Sequence, residues 1–319
     1  MTNMKKFAIG IDLGGTNLRV ALVSAEGEIV RKIRKTSAER VFETLLESID
    51  ELSRAHVGDN ISGIGLGVAG LIDRNRGRVF TSPNLRAIEG LDLVHELKTR
   101  FGMPVFIEND ANVAALGEKV SGAGRGFNNF VLLTLGTGIG GGIIHKGELL
   151  DVSAEVGHMS INAEGEKCQC GNIGCLENYA SARAMISRAI SMLEKGQESL
   201  LKECCKGSIY KLTPEDIYKA ALEGDTLSRE ILREAGKALG VGLANLINIL
   251  SPEAIILTGG LIGAWNIYVQ EAIKEASRRA FKDLVDSVKI IPSSLGDEAG
   301  IVGAACLVFM GLSRTNLPR

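Results

Sequence analysis

The chain has no excess of basic charge. Its 36 Lys and Arg stand against 38 Asp and Glu, a formal net charge of −2. That balance offers no positive field to draw nucleic acid or anionic lipid. There is no long apolar run at the start either. The apolar stretch in MTNMKKFAIGIDLGG runs straight into Asp12 and glycines, so neither a signal peptide nor a membrane span is expected. No GxxxxGK[ST] occurs, which excludes the P-loop way of holding a nucleotide. A cytoplasmic protein is the expectation, and a reducing compartment argues against structural disulfides among the six cysteines. The 319 residues suit two domains, by a prior of about 150 residues each. A hydrophobic content of 45% is enough for a real core.

What is present is a repeat. FAIGIDLGGTNLRVALVSAEGEIV, from Phe7, and FVLLTLGTGIGGGIIHKGEL, from Phe130, share an apolar strand, a Leu-Gly turn, a second apolar run and a later glycine turn at Gly27 and Gly147. In the first half Val41, Phe42, Leu45, Leu46, Ile49 and Leu52 fall on one helical face. A strand over 61–70, a helix near 89–101, the strand PVFIEND (104–110) and a helix from Ala111 come next. The second half repeats this order with a helix over 225–250, a strand over 254–260, a helix from about 264 to 281, a strand over 288–292 and a closing helix over 297–311. The expected class is therefore α/β: two duplicated domains, each a mixed sheet flanked by helices, around a cleft where small ligands bind. The expected boundaries are 1–118 plus 300–319 for one domain and 119–299 for the other, with an insert at about 155–224. The plain alternative is two unrelated α/β domains with coincidental glycines.

The glycine turns carry the first candidate site. Asp12-Leu-Gly14-Gly15-Thr16-Asn17 lies between two strands. Gly14 and Gly15 let the backbone curl and present N–H groups to an anion, Thr16 and Asn17 add donors, and Asp12 is placed to hold a hydrated cation. Gly136-Thr137-Gly138 repeats the device, so two turns could hold a polyphosphate. Either turn alone is equally a tight hairpin connection. Gly136-x-Gly138-x-x-Gly141 also matches GxGxxG, but a strand and not a helix comes after it, which disfavours a dinucleotide fold.

Asp110 stands at the end of the strand PVFIEND and at the start of a helix. Position alone allows a helix cap or a general base kept ionised by the helix N-terminus, with Asn109 orienting the substrate hydroxyl. Farther on, Glu155, His158 and Glu177 suit a polyol. Between them, Cys168, Cys170 and Cys175 supply three thiolates, and His158 is near enough to complete a tetrahedral zinc site. Four protein ligands leave no open position, so the metal is expected to be structural. A reactive thiol centre would want CxxC and an electropositive neighbour, and neither is visible. Cys204, Cys205 and Cys306 read as ordinary helix cysteines.

The pattern Asp12-x-Gly14-Gly15-Thr16-Asn17, then Glu155-x-x-Gly157-His158, then Cys168-x-Cys170-Gly-x-x-Gly-Cys175-x-Glu177, resembles the ROK family (repressor, open reading frame, kinase), as does the tail LGDEAGIVGAACL. The resemblance covers the whole chain. It implies a fold similar to hexokinase and actin (RNase H-like domains) and an ATP-dependent hexose 6-kinase, with glucose as acceptor. Asp12, Gly14, Gly15, Thr16, Asn17, Thr137 and Gly138 would serve the phosphates and Mg²⁺, and Gly259 and Gly260 would flank the adenosine. Asn84, Asn109, Asp110, Glu155, His158 and Glu177 would hold the sugar, with Asp110 as base and the two domains closing on it. His158 would serve zinc with one nitrogen and the sugar with the other. A homo-oligomer, dimer or tetramer, is implied as well. Glucokinases of the family often carry Trp after the Asn84-Leu85 equivalent, whereas this chain reads NLRAIEGLDL and has only Trp265. That keeps an N-acetylmannosamine or N-acetylglucosamine kinase, or a fructokinase, as alternatives. Family repressors carry an N-terminal helix-turn-helix; here the first strand begins at Phe7, so a sugar-responsive regulator is not expected.

Overall fold

The computed structural model describes residues 6–15, 17–36, 40–55, 60–74, 76–82, 85–204 and 207–315. Thr16, Asn84 and Cys205 lie outside them. The first half runs β1 (Lys6–Leu13), β2 (Asn17–Ser24), β3 (Ile29–Thr36), α1 (Val41–Ala55), β4 (Asn60–Val68), β5 (Leu71–Asp73), β6 (Arg78–Thr81), α2 (Leu93–Phe101), β7 (Val105–Asn109) and α3 (Asp110–Ser121). The second half runs β8 (Phe130–Leu135), β9 (Ile139–His145), β10 (Glu148–Leu149), α4 (Glu177–Ala180), α5 (Ala182–Glu194), α6 (Leu201–Cys204), α7 (Pro214–Leu222), α8 (Thr226–Leu250), β11 (Ala254–Thr258), α9 (Gln270–Arg279), α10 (Lys282–Ser287), β12 (Lys289–Pro292) and α11 (Ala299–Thr315).

The repeat is borne out by strand order. One sheet is β3-β2-β1-β4-β7 and the other β10-β9-β8-β11-β12. In each, three hairpin strands lie in reverse order beside two later strands. In the first sheet β1, β2 and β3 pair antiparallel, while β1–β4 and β4–β7 are parallel. In the second, β9–β10 is antiparallel and β11–β12 parallel. The expected helix over 264–281 is broken, because 3₁₀ (Gly260–Ala264) and π (Trp265–Val269) turns precede α9. Those turns bury Tyr268, whose hydroxyl donates to the Ala180 carbonyl at 2.8 Å.

Two compact units emerge: Met1–Leu132 with Gly142–Ala154 and Ser293–Arg319, and Leu133–Gly141 with Glu155–Pro292. They do not follow the expected divisions at 118/119 and 299/300. The reason is α3, which gathers later segments onto itself. A Cβ on Gly142 would lie 2.6 Å from the Ala111 carbonyl oxygen, and the Asn112 side chain donates to the Val152 carbonyl at 3.1 Å.

In the first unit, alternation along β1 sorts its side chains. Ile9, Ile11 and Leu13 join Val41, Leu45, Ile49 and Leu52 of α1 in one core. Ala8 faces Ile301, Ala305 and Val308 of α11 in another. The α11 layer is close-packed: a Cβ on Gly65 would lie 1.8 Å from the Ala304 carbonyl oxygen. Asp12 follows Ala8 and Gly10 on the α11 face, where a Cβ on Gly300 would come within 2.9 Å of its Cγ.

Glu118 of α3 is fully buried. It accepts from the Ala123 amide at 2.6 Å, the Leu295 amide at 3.0 Å, the Ser294 amide and hydroxyl at 3.4 Å, and the Ser293 hydroxyl. The carboxylate thereby pins the segment that leads into α11. Glu118→Gln turns an acceptor oxygen into a donor facing these donors. We expect it to cost about 1–3 kcal/mol of stability, measured by urea unfolding. An unchanged midpoint would contradict this anchoring role.

Candidate active site

In the first unit the parallel register aligns the strand ends. Asp12 stands opposite Gly67 and Gly67 opposite Glu108; Leu13 stands opposite Val68 and Val68 opposite Asn109. Asp12 and the Asn109–Asp110 step therefore share the C-terminal edge of the sheet, two strand spacings or roughly 10 Å apart. This is the edge at which open α/β sheets place their ligands.

Asp12 is paired. Arg19, its cross-strand neighbour, donates from Nη1 to Asp12 Oδ2 at 2.8 Å and from Nη2 to Asp297 Oδ2 at 2.9 Å. Burial pushes the Asp12 carboxyl above its ordinary value, and Arg19 pulls against that. The Gly14 amide donates to the Asn17 carbonyl at 3.0 Å, closing the turn and not facing outward as the sequence suggested. Asn17 Oδ1 accepts from Arg34 Nη2 at 3.2 Å.

Asn109, and not Asp110, caps α3. Its Oδ1 accepts from the Ala111 amide at 2.9 Å and the Asn112 amide at 3.3 Å, and its Nδ2 donates to the Gly70 carbonyl at 3.1 Å. Asp110 is the first helical residue, half-buried, with Oδ1 accepting from the Ala111 amide at 2.9 Å. Helix N-termini favour negative charge, and this carboxylate stands at one. Beside this junction, Glu108 and Arg74 form a partly buried ion pair that sequence reasoning passed over. The signal in Glu108 is a charge inside an apolar strand; Arg74 has none. A cleft of about 390 Å³ opens beside the pair, and no expected site residue lines it.

In the second unit the cysteine segment folds back on His158. One ligand atom each from His158, Cys168, Cys170 and Cys175 lies within 4.8 Å of the others. Cys168 Sγ is 3.8 Å from His158 Nδ1, and Cys170 Sγ is 3.7 Å from Cys175 Sγ. A tetrahedron with metal–sulfur bonds of about 2.3 Å has edges of roughly 3.8 Å, so this cluster could hold a metal ion. Gly174 makes the fold-back possible: its φ is +69°, and a Cβ there would lie 1.7 Å from the Asn162 carbonyl oxygen. Burial and the neighbouring thiols push Cys175 up to about 12.

With Nδ1 turned to the thiols, His158 Nε2 stands 3.9 Å from Glu155 Oε2. Partial burial pushes the Glu155 carboxyl up, and His158 pulls it down. Glu177 does more than face solvent: its Oε2 accepts from the Ile139 amide at 2.7 Å, and a Cβ on Gly138 would lie 2.4 Å from that oxygen. So Glu177 ties the cysteine segment to the Gly136–Gly138 turn. The Gly136 amide donates to the Gly138 carbonyl at 3.0 Å, and Thr137 is exposed at the tip. Gly259, with φ at +97°, lies against the backbone of Leu135, just before that turn, and Gly260 beside it is exposed.

The comparisons with known proteins show the family and the fold. The sequence model of the ROK family matches residues 8–310. A glucokinase of Thermotoga maritima is 38% identical over 313 residues, covering 94% of this chain and 96% of that protein. A xylose repressor of Bacillus subtilis is 34% identical over 315 residues, 95% of this chain and 77% of the repressor. The crystal structure of a ROK family glucokinase from Streptomyces griseus, in complex with glucose and AMPPNP, superposes with a TM-score of 0.83. It is 33% identical, and the match covers 96% of this chain and all of that one. Among the described residues no helix is long and apolar enough to cross a membrane.

Proposed function

Because the chain belongs to the ROK family, we propose that it is an ATP-dependent sugar kinase acting on the 6-hydroxyl of glucose. The observation that carries this reading is the shared sheet edge of Asp12 and the Asn109–Asp110 step. Relatives named glucokinases that match this chain over nearly their whole length support it.

In this reading Asp110 accepts the proton of the attacking hydroxyl. Asn109 has one amide hydrogen left for the sugar, since Oδ1 is spent on the cap and one N–H on Gly70. Asn84, Glu155, His158 Nε2 and Glu177 take the other hydroxyls; Glu177 brings one oxygen already committed to Ile139. Gly15, Thr16, Asn17, Thr137 and Gly138 serve the phosphates, Gly14 closes the first turn, and Gly259 and Gly260 flank the adenosine. Asp12 Oδ2 is held by Arg19, which leaves Oδ1 for Mg²⁺, directly or through water. Bound there, the cation supplies charge neutralisation on the phosphates; positioning supplies the rest. The four-ligand cluster fits Zn²⁺, a structural cross-link that takes no part in transfer.

The test is a coupled ADP-release assay over glucose, mannose, fructose, N-acetylglucosamine and N-acetylmannosamine. Glucose is expected to give the highest kcat/KM. A higher value for an N-acetylhexosamine or for fructose overturns the choice of sugar. Sugar binding without turnover on any of the five would favour a regulator, as in the repressor relatives.

A further inference from the structure

Glu108 is a carboxylate that the proposed chemistry leaves idle, yet it is only 6% exposed. A charge so placed is costly unless it is paired and hydrogen-bonded. Arg74, in the turn after β5, grips both its oxygens. Nε donates to Oε2 at 2.6 Å and Nη2 to Oε1 at 2.9 Å, the forked geometry that sets orientation as well as charge. The same guanidinium donates to Asp151 Oδ1 at 2.7 Å and to the Val152 carbonyl at 3.0 Å.

Glu108 in turn holds the start of α3. Its Oε1 accepts from the Asn109 amide at 2.7 Å and from Asn112 Nδ2 at 3.1 Å. Asn112 also donates to the Val152 carbonyl at 3.1 Å. Its own Oδ1 is buried without a partner, so the network dictates the orientation of this amide at the expense of an unmet acceptor. Through Arg74 and Asn112, the β5–β6 turn, the 151–152 segment and the β7–α3 junction are thus joined in one network around this carboxylate. Asn109 and Asp110 leave the sheet at that junction.

We propose that the Arg74–Glu108 pair is the positioning device of Asp110. By holding the Asn109 amide it fixes the backbone step at which Asn109 turns to cap α3, and so the direction in which Asp110 departs. Stability alone does not account for the pair. Strand β7 is otherwise apolar up to Asn109, and well-packed apolar residues commonly replace a buried ion pair at no loss. The pair acts through Asp110 and touches no substrate itself. The inference rests on the reading of Asp110 as base.

Arg74→Lys and Glu108→Gln, each made in the wild type and in an Asp110→Asn background, test it. Lys keeps the charge and loses the fork. Gln keeps the shape and loses the charge. Each is expected to lower kcat about 10-fold, with KM for glucose and ATP within about threefold, and to change the Asp110→Asn enzyme by less than about twofold. Full kcat in the single variants overturns the proposal. So does an undiminished loss in the Asp110→Asn background, because the pair would then act independently of Asp110. Failure of the base assignment shows separately, as full turnover in Asp110→Asn alone, and removes this proposal with it. If Arg74→Lys does not fold, the near-isosteric Glu108→Gln carries the same comparison.

Discussion

Asp110→Asn is expected to cut kcat at least ~10²-fold while sugar affinity stays within about an order of magnitude. The substitution removes the base and keeps the helix cap. Asn109 is the residue that caps α3, so an amide at position 110 leaves both cap hydrogen bonds in place. The amide oxygen can still accept from Ala111, as Oδ1 does now. What it cannot do is take a proton from a hydroxyl. The carboxylate stands at the first turn of a helix, where the aligned peptide dipoles favour negative charge. Steady-state kinetics and calorimetric titration with glucose separate the two effects. Lost affinity with intact turnover would make Asp110 a binding residue.

Loss of metal is expected to be the second large effect. Purified protein should carry about one equivalent of zinc per chain, and Cys170→Ser should lose it. Cys170 is the informative ligand because it is exposed and fills no core space. Cys175 is buried, so its replacement mixes a packing defect with metal loss. Metal binding and local folding are coupled, and structural zinc is worth about 10 kcal/mol or more in small zinc domains. Without the metal, nothing bonds together the four ligand atoms that the folded segment brings within 4.8 Å of one another. His158 and Glu155 stand together on one side of this cluster, and Glu177 runs from it to the Gly138 turn. We therefore expect KM for glucose to rise at least ~10-fold with a lowered Tm, a larger change than either residue 74 or 108 produces. Metal analysis and sugar saturation curves are the measurements. Normal kinetics in zinc-free protein would remove the metal from the account.

The features that were legible in the sequence are those whose cause is local. The i, i+4 spacing of Val41, Leu45 and Ile49 is a helix face because a helix has 3.6 residues per turn, and α1 buries those residues. The glycines after each second strand, Gly27 and Gly147, take positive φ as turn residues do. The Cys168–Cys175 spacing needs only a short fold-back, and His158 lies close enough along the chain to join it. The repeat was legible for the same reason, since duplicated strands carry duplicated patterns.

Other features depend on which distant segments touch, and no local pattern encodes that. Arg74 meets Glu108 across 34 residues, Arg19 meets Asp297 across 278, and Glu118 meets Ser293 across 175. The cap fell to Asn109 instead of Asp110 because the backbone leaves β7 one residue earlier than the sequence pattern suggested, and the carboxylate of Glu108 holds that step. Glu177 became a tie to the Gly138 turn because the fold-back of the cysteine segment delivers it to the Ile139 amide. Spacing and turn chemistry determined by themselves the repeat, the helix faces and the composition of the Cys/His cluster. Tertiary structure alone decided how each charge is used, because a buried carboxylate takes whatever donors the folded chain brings within hydrogen-bonding distance.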